Sequence, residues 1–281
     1  MPSATVIRID RETPLETWPD FPESEISSGT RASKGKMLLE DAAVGLRIGL
    51  WEAEANLGRW MDWPCDEFMV ILEGEVVMVE ADRETVIGPG ECFFIPKGRR
   101  CIWNQAGYVK KIMVLFDVSP GQPAPEAQRI RMIDPATPLA PIPAPDAAIL
   151  LSATPTQQAC TVTSDASGQL TVGLWQSTAY ERIPVTAPHH EVMHLLEGSM
   201  TLTDGVPLAD IWTGRDASGA AWHAKRLEKH RDRPQDLLQH KAPDLRRSAG
   251  QGGPIAVKPV LHTGMAGQCC CDFTPIVVNA V

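Results

Sequence analysis

From Gly45 onward, apolar and polar residues alternate in short runs that end at Gly, Pro or Glu-Gly. GLRIGLWEA, EFMVILEG, EVVMVEA, TVIGPGECFFIP and VKKIMVLFDV each read as a strand or a strand with its turn, and no helical period interrupts them. Many short strands with glycine and proline at their ends predict an all-β sandwich or small barrel. The pattern then recurs. PCDEFMVILEGEV (Pro64–Val76) returns as PHHEVMHLLEGSM (Pro188–Met200), and Glu191 follows Glu67 by 124 residues. The same offset of 124 carries Gly49-Leu50-Trp51 onto Gly173-Leu174-Trp175 and Leu72-Glu73-Gly74 onto Leu196-Glu197-Gly198. A register held without a gap over these positions means two copies of one structural unit.

Five segments follow from this reading. Residues 1–40 form a polar arm, with Trp18 and Phe21 as anchors onto the unit at 41–118. Residues 119–147 are rich in Pro and Ala, a composition that makes a stiff, extended linker. A second, partial unit covers 148–206, and a tail of different character covers 207–281.

Composition narrows the function classes. The net charge of −9 argues against a nucleic-acid partner, and no run of about 18 apolar residues offers a membrane span. The N-terminus has early charges and no apolar core of a secretory signal. Three of the seven cysteines (Cys269, Cys270, Cys271) are adjacent, which suits a reduced, cytoplasmic chain better than a disulfide framework.

Two motifs sit about one hairpin apart. Glu67 to Gly74 fits E-x6-G, and Gly90-Glu91-Cys92-Phe93-Phe94-Ile95-Pro96-Lys97-Gly98 fits G-x5-P-x-G. Together they resemble the two signature motifs of the cupin superfamily, which implies an all-β fold of tandem jelly-roll (double-stranded β-helix) barrels. WPCDEFMVILEGEV followed by IPKGRRCIWNQAGYVKK, with Pro96, Lys97, Gly98, Cys101 and Trp103, resembles the (S)-ureidoglycine aminohydrolase-like group, which includes ethanolamine-utilisation cupins. That resemblance implies a bicupin, with manganese or another divalent metal as cofactor. The metal pattern itself departs from the family. Trp60/Asp62 or Met61/Trp63 stand where a histidine pair belongs, Cys101 stands at the third histidine, and only Glu67 remains. One carboxylate and one thiol do not make a usual first-row site.

Strand alternation places Glu67 with Cys65 and Met69 on one face, with Asp66 and Phe68 on the other. Glu67, Trp51, Cys101 and Trp103 are therefore candidates to line one small cavity, with Glu67 as the ligand-binding or acid/base group. The bland alternative is a hydrogen-bonded carboxylate among core tryptophans and an inert thiol. In the second unit, Glu191 and Trp175 take the places of Glu67 and Trp51. His189 shares the phase of Glu191 and forms with it a weak candidate metal pair. His190 and His194 fall on the opposite face and read as surface histidines near a barrel rim.

After Asp204-Gly205 the repeat stops, and the charge reverses from −12 over the first 206 residues to +3 over the rest. Reading residues 207–238 one nucleotide later permits a string that continues it. In that string a P-x-G falls over Ala220–Trp222, a tryptophan over Leu227 and a basic pair ends over Gln235, each at the 124-residue offset. Most codons there are free choices, but two outcomes are forced. The Trp222 codon followed by His223 yields glycine, and Gln235 followed by Asp236 yields lysine or arginine. The expectation is a second cupin disrupted by a frameshift near Val206 and an aberrant, poorly packed tail; a divergent natural C-terminal domain is the competing reading. Functionally the sequence reads as a cytoplasmic cupin protein that binds a small polar metabolite, with no full metal site and no nucleic-acid or membrane partner. A homodimer through exposed strands is a further expectation. The alternative is a metal-dependent hydrolase or isomerase of a small nitrogenous metabolite, with Glu67 or Glu191 as ligand or base.

Overall fold

The computed structural model of the chain describes residues 7–118, 128–185, 190–203, 211–212, 265–268 and 274–280. Its first half contains β1 (Glu16–Thr17), β2 (Ile26–Gly29), β3 (Lys34–Asp41), β4 (Leu46–Ala53), β5 (Asn56–Gly58), β6 (Met61–Asp62) and β7 (Asp66–Glu73). It continues with β8 (Val76–Glu80), β9 (Arg83–Ile87), β10 (Cys92–Ile95), β11 (Arg100–Gln105), β12 (Val109–Phe116) and β13 (Arg131–Met132). The second half contains β14 (Ala140–Ile142), β15 (Gln157–Ser164), β16 (Leu170–Ser177), β17 (Glu181–Val185) and β18 (His190–Glu197). There follow β19 (Ser199–Thr203), β20 (Ile211–Trp212), β21 (Met265–Gln268) and β22 (Thr274–Ala280). Among the described residues the sole helix is a short 3-10 turn at Ala147–Ile149, so the all-β expectation holds.

Each unit is a pair of antiparallel sheets. In the first, β1-β3-β4-β12-β7-β10-β13 form the larger sheet and β2-β5-β11-β8-β9 the smaller, with β6 paired to β11. In the second, β14-β15-β16-β22-β18 and β17-β21-β19-β20 take the same roles. Residues 16–41 are more than an arm, since β3 pairs with β4 along its whole length and Trp18 and Phe21 pack on the barrel core. The Pro/Ala stretch at 119–147 is itself drawn into the sheets rather than free: β13 adds to β10, and β14 to β15.

Two faces of the large sheet carry different sets of side chains. Trp51, Met69, Ile71 and Met113 point into the barrel, with Val76, Met78 and Trp103 from the smaller sheet. Leu46, Ile48, Phe68, Val70, Val114 and Phe116 point the other way and pack against Leu170, Val172 and Leu174 of the second unit. A sheet covered on both faces needs nearly continuous apolar runs, which is why DEFMVILE on β7 and VKKIMVLF on β12 blur the alternation. The two units therefore share one core between their large sheets.

The repeat register survives in three dimensions. β4 and β7 flank β12, and their counterparts β16 and β18 flank β22. The place of β12 in the second unit is thus filled by Thr274–Ala280, a segment well beyond the 124-residue offset. Most of the tail at 207–281, including the triple cysteine, lies outside the described residues.

Candidate functional site

The interior of the first barrel holds a buried ion pair. Glu67 leads the inward phase of β7, and Lys111 lies in the inward phase of β12 with Val109 and Met113. Glu67 is 4% exposed and Lys111 6%. Lys111 Nζ donates to Glu67 Oε1 at 2.8 Å and lies 2.9 Å from Met69 Sδ. The second carboxylate oxygen accepts from Trp63 Nε1 at 2.9 Å. Without such partners either charge would be expelled from this interior.

Tryptophans enclose the ammonium. Lys111 Nζ sits 5.1 Å from the Trp51 ring centre and 4.6 Å from that of Trp103. An indole face carries negative potential, so each ring stabilises the cation further. Trp51 and Trp103 meet edge to face at 5.9 Å, Trp63 stacks on Trp103 at 6.3 Å, and Phe21 closes on Trp51 at 6.3 Å. Buried Gln105 fixes the Trp103 ring by accepting its Nε1–H at 2.6 Å while donating to the carbonyls of Ala53 and Glu54. Trp63 is placed by the loop after the P-x-G motif. Its N–H donates to the Arg99 carbonyl at 3.0 Å, and its carbonyl accepts from Gly98 N–H at 2.7 Å. The signature glycine, at φ +76°, thus positions the indole that holds Glu67.

Of the candidates in this unit, Glu67, Trp51 and Trp103 come together around Lys111. Cys101 lies on β11 and is fully buried. Desolvation pushes its thiol up to about 12, with Glu80 adding to the shift, and Sγ contacts the Arg99 carbonyl at 3.6 Å. It stays a neutral core thiol at neutral pH. Lys111, Trp63 and Gln105 are the residues that sequence reading missed. The signal for Lys111 was present, because period-two counting on VKKIMVLF puts it in phase with Val109, Met113 and Leu115.

In the second unit Trp175 is buried on β16, and Glu191 lies half-buried on β18 in phase with Met193 and Leu195. His189 lies outside the described residues. The other two histidines are not rim residues. His190 bonds Asp41 of the first unit at 2.8 Å through Nε2, and His194 shares a face with Val192 and Leu196, which pack on the shared core. Desolvation pushes the His194 imidazole down to about 4. Pro275 on β22 is the register partner of Leu195, as Lys111 on β12 is of Ile71. Leu195 follows Ile71 by the same 124 residues, so a proline holds the register position of the lysine.

Among the described residues, the side chains of the first barrel do not fit a metal. Among the described residues no group of three His, Cys, Asp or Glu side chains converges. Both oxygens of Glu67 already hold a hydrogen bond, and the nearest cation is an ammonium. Among the described residues, no helix is long and apolar enough to cross a membrane.

Residues 42–112 match the family model of the EutQ-like cupin domain, so the first barrel is a cupin domain. Among solved structures, the chain is similar to a protein of unknown function from Pseudomonas syringae pv. tomato. That match has 17% identity and TM-score 0.64, and covers 92% of this chain and 94% of that one. It is also similar to a cupin 2 conserved barrel domain protein from Leptotrichia buccalis, with 11% identity and TM-score 0.50 over 91% and 92% of the two chains. At these identities the likeness is one of fold. No curated protein matches the chain.

Proposed function

We propose that this cupin-type protein is a bicupin that binds a small polar metabolite in its first barrel, at the Glu67–Lys111 pair, without a metal. One observation carries the reading. The carboxylate that remains of the metal pattern is bonded to a lysine ammonium at 2.8 Å inside a cage of Trp51, Trp63 and Trp103. The lysine supplies the positive charge that a metal would supply elsewhere, and the indoles supply flat apolar walls, the usual make-up of a small-molecule site. The pair takes no part in closing a turn or capping an element, and a buried pair is seldom kept for stability alone. Metal analysis of the purified protein tests this. The expected result is no stoichiometric metal; near-stoichiometric Mn, Fe, Ni or Zn would overturn it in favour of the ureidoglycine aminohydrolase-like hydrolase reading. That second reading rests on the His189–Glu191 phase in the second unit.

We also read the second unit as interrupted by a frameshift near Val206. Two structural requirements support it. Gly98 needs a left-handed backbone, and Lys111 is the partner of Glu67. The two forced letters of the shifted frame, glycine at 222 and lysine or arginine at 235, fall 124 residues after these two positions. Sequencing the genomic DNA across codons 195–240 of this chain decides the matter: an extra or missing base there is the expected outcome, and an intact frame would refute it.

A further inference from the structure

We infer that the first barrel selects an uncharged, planar ligand that presents an N–H donor beside a C=O acceptor, as a carboxamide or lactam does. The inference rests on the first barrel being a metal-free ligand site. It deepens that reading through the hydrogen-bond and charge inventory of the cage.

An ammonium has three N–H groups. In Lys111 one points to Glu67 Oε1 and one to Met69 Sδ; among the described residues no oxygen, nitrogen or sulfur acceptor engages the third, and the ammonium otherwise lies against the Trp51 and Trp103 rings. A carboxylate has about four lone-pair positions. In Glu67 one is taken by Lys111 and one by Trp63. The pair therefore offers one donor and spare acceptor positions side by side. A ligand that satisfies both needs an acceptor for Lys111 and a donor for Glu67 at neighbouring atoms.

Charge then excludes the ionic alternatives. The pair is neutral in sum, and Glu80, another buried carboxylate of this barrel, is already held by Arg83 and Arg99. An anionic ligand would bond Lys111 but bring a second negative charge against Glu67. A cationic ligand would bond Glu67 but meet the ammonium of Lys111 inside the same indole cage. Among groups this buried, either leaves an uncompensated charge, whereas a neutral amide leaves none. The stacked Trp63 and Trp103 rings and the Trp51 ring favour a flat ligand for the same reason that they favour each other.

Acetamide, acetate and acetamidinium test this. They match in size and differ only in charge, and they are titrated into the intact protein at constant ionic strength. The readout is the set of indole N–H resonances in 15N spectra, with Trp63 and Trp103 assigned through Trp63→Phe and Trp103→Phe. Acetamide is expected to move the Trp63 and Trp103 signals at concentrations where the two ions do not. Lys111→Met and Glu67→Gln are each expected to weaken that binding about ten- to a hundredfold. If either variant fails to fold, Lys111→Arg keeps the charge but changes the donor geometry, and is expected to weaken acetamide too. Stronger binding of acetate or acetamidinium, lost in the same variants, would overturn the ligand class while leaving a metal-free site in place. Perturbation by none of the three would overturn the inference, and stoichiometric metal in the same sample would overturn the underlying reading separately.

Discussion

At the scale of single residues, the first barrel turns on one lysine. Lys111→Met leaves Glu67 buried with only the Trp63 indole for company, and removing one member of a buried pair costs about 3–5 kcal/mol. Glu67→Gln strands the ammonium and is expected to cost a similar amount. The double variant removes both charges, so its loss should fall well below the sum of the single losses. Urea denaturation of the four proteins measures this coupling, and strictly additive losses would show that the pair is not one unit. How much of this was legible follows from the same residues. Glu67, Trp51 and Trp103 were visible because motif and alternation mark them. Lys111 was missed because a basic residue beside Lys110 reads as a solvated face. Period-two counting from Val109 to Met113 marks it as inward, but its partner across the sheet is set by a register irregularity, where β12 moves from Glu73 to Ile71. No pattern in the sequence announces that irregularity.

At the scale of elements, turns hold the register that brings the cage together. Gly74 ends β7 with φ +78°, and a Cβ there would lie 1.9 Å from the Tyr108 carbonyl oxygen. Gly168, at φ +73°, has nothing within 4 Å of the same position. Gly168→Ala should cost only the left-handed penalty of about 1–2 kcal/mol. Gly74→Ala should cost that plus the displacement of β12, and so unfold at clearly lower denaturant concentration. Equal losses would mean that the turn does not fix the β7–β12 pairing. The strands of the first barrel and the 124-residue repeat could be read in advance because turn glycines and strand phases are local signals. The sharing of a core between the two large sheets could not. Phe68, Val70, Leu170 and Val172 face outward from their own barrels, and only the tertiary fold brings them together. The same fact moved His190 and His194 from an expected rim into the contact between units.

At the scale of the whole molecule, that contact carries a buried carboxyl and a half-buried imidazole whose effects on stability oppose each other. Asp66 leads the outward phase of β7. Burial pushes its carboxyl up to about 6, Asp165 of the second unit adds to the shift, and the hydrogen bond from Lys97 N–H offsets it in part. A carboxyl raised from 3.8 to about 6 contributes stability that is complete below about pH 4 and lost as pH rises through about 6. The loss approaches about 3 kcal/mol. His194 is the reverse case. Lowered from 6.5 to about 4, it contributes stability that is complete above about pH 6.5 and lost as pH falls through about 4. Asp41, held below its ordinary value by His190, adds a smaller loss in the same acid direction, reduced by its exposure to solvent. Between about pH 4 and about pH 6 these slopes run against each other, so the parent protein should change little in stability across that window. Asp66→Asn keeps an acceptor for Lys97 N–H but cannot ionise. It should gain stability at about pH 7, gain nothing at about pH 4, and leave the acid loss of His194 uncovered. His194→Leu should do the opposite and make the contact more stable in acid. Urea midpoints for the three proteins at the two pH values test the assignment, and an Asp66→Asn variant with the parent's pH slope would remove Asp66 from it.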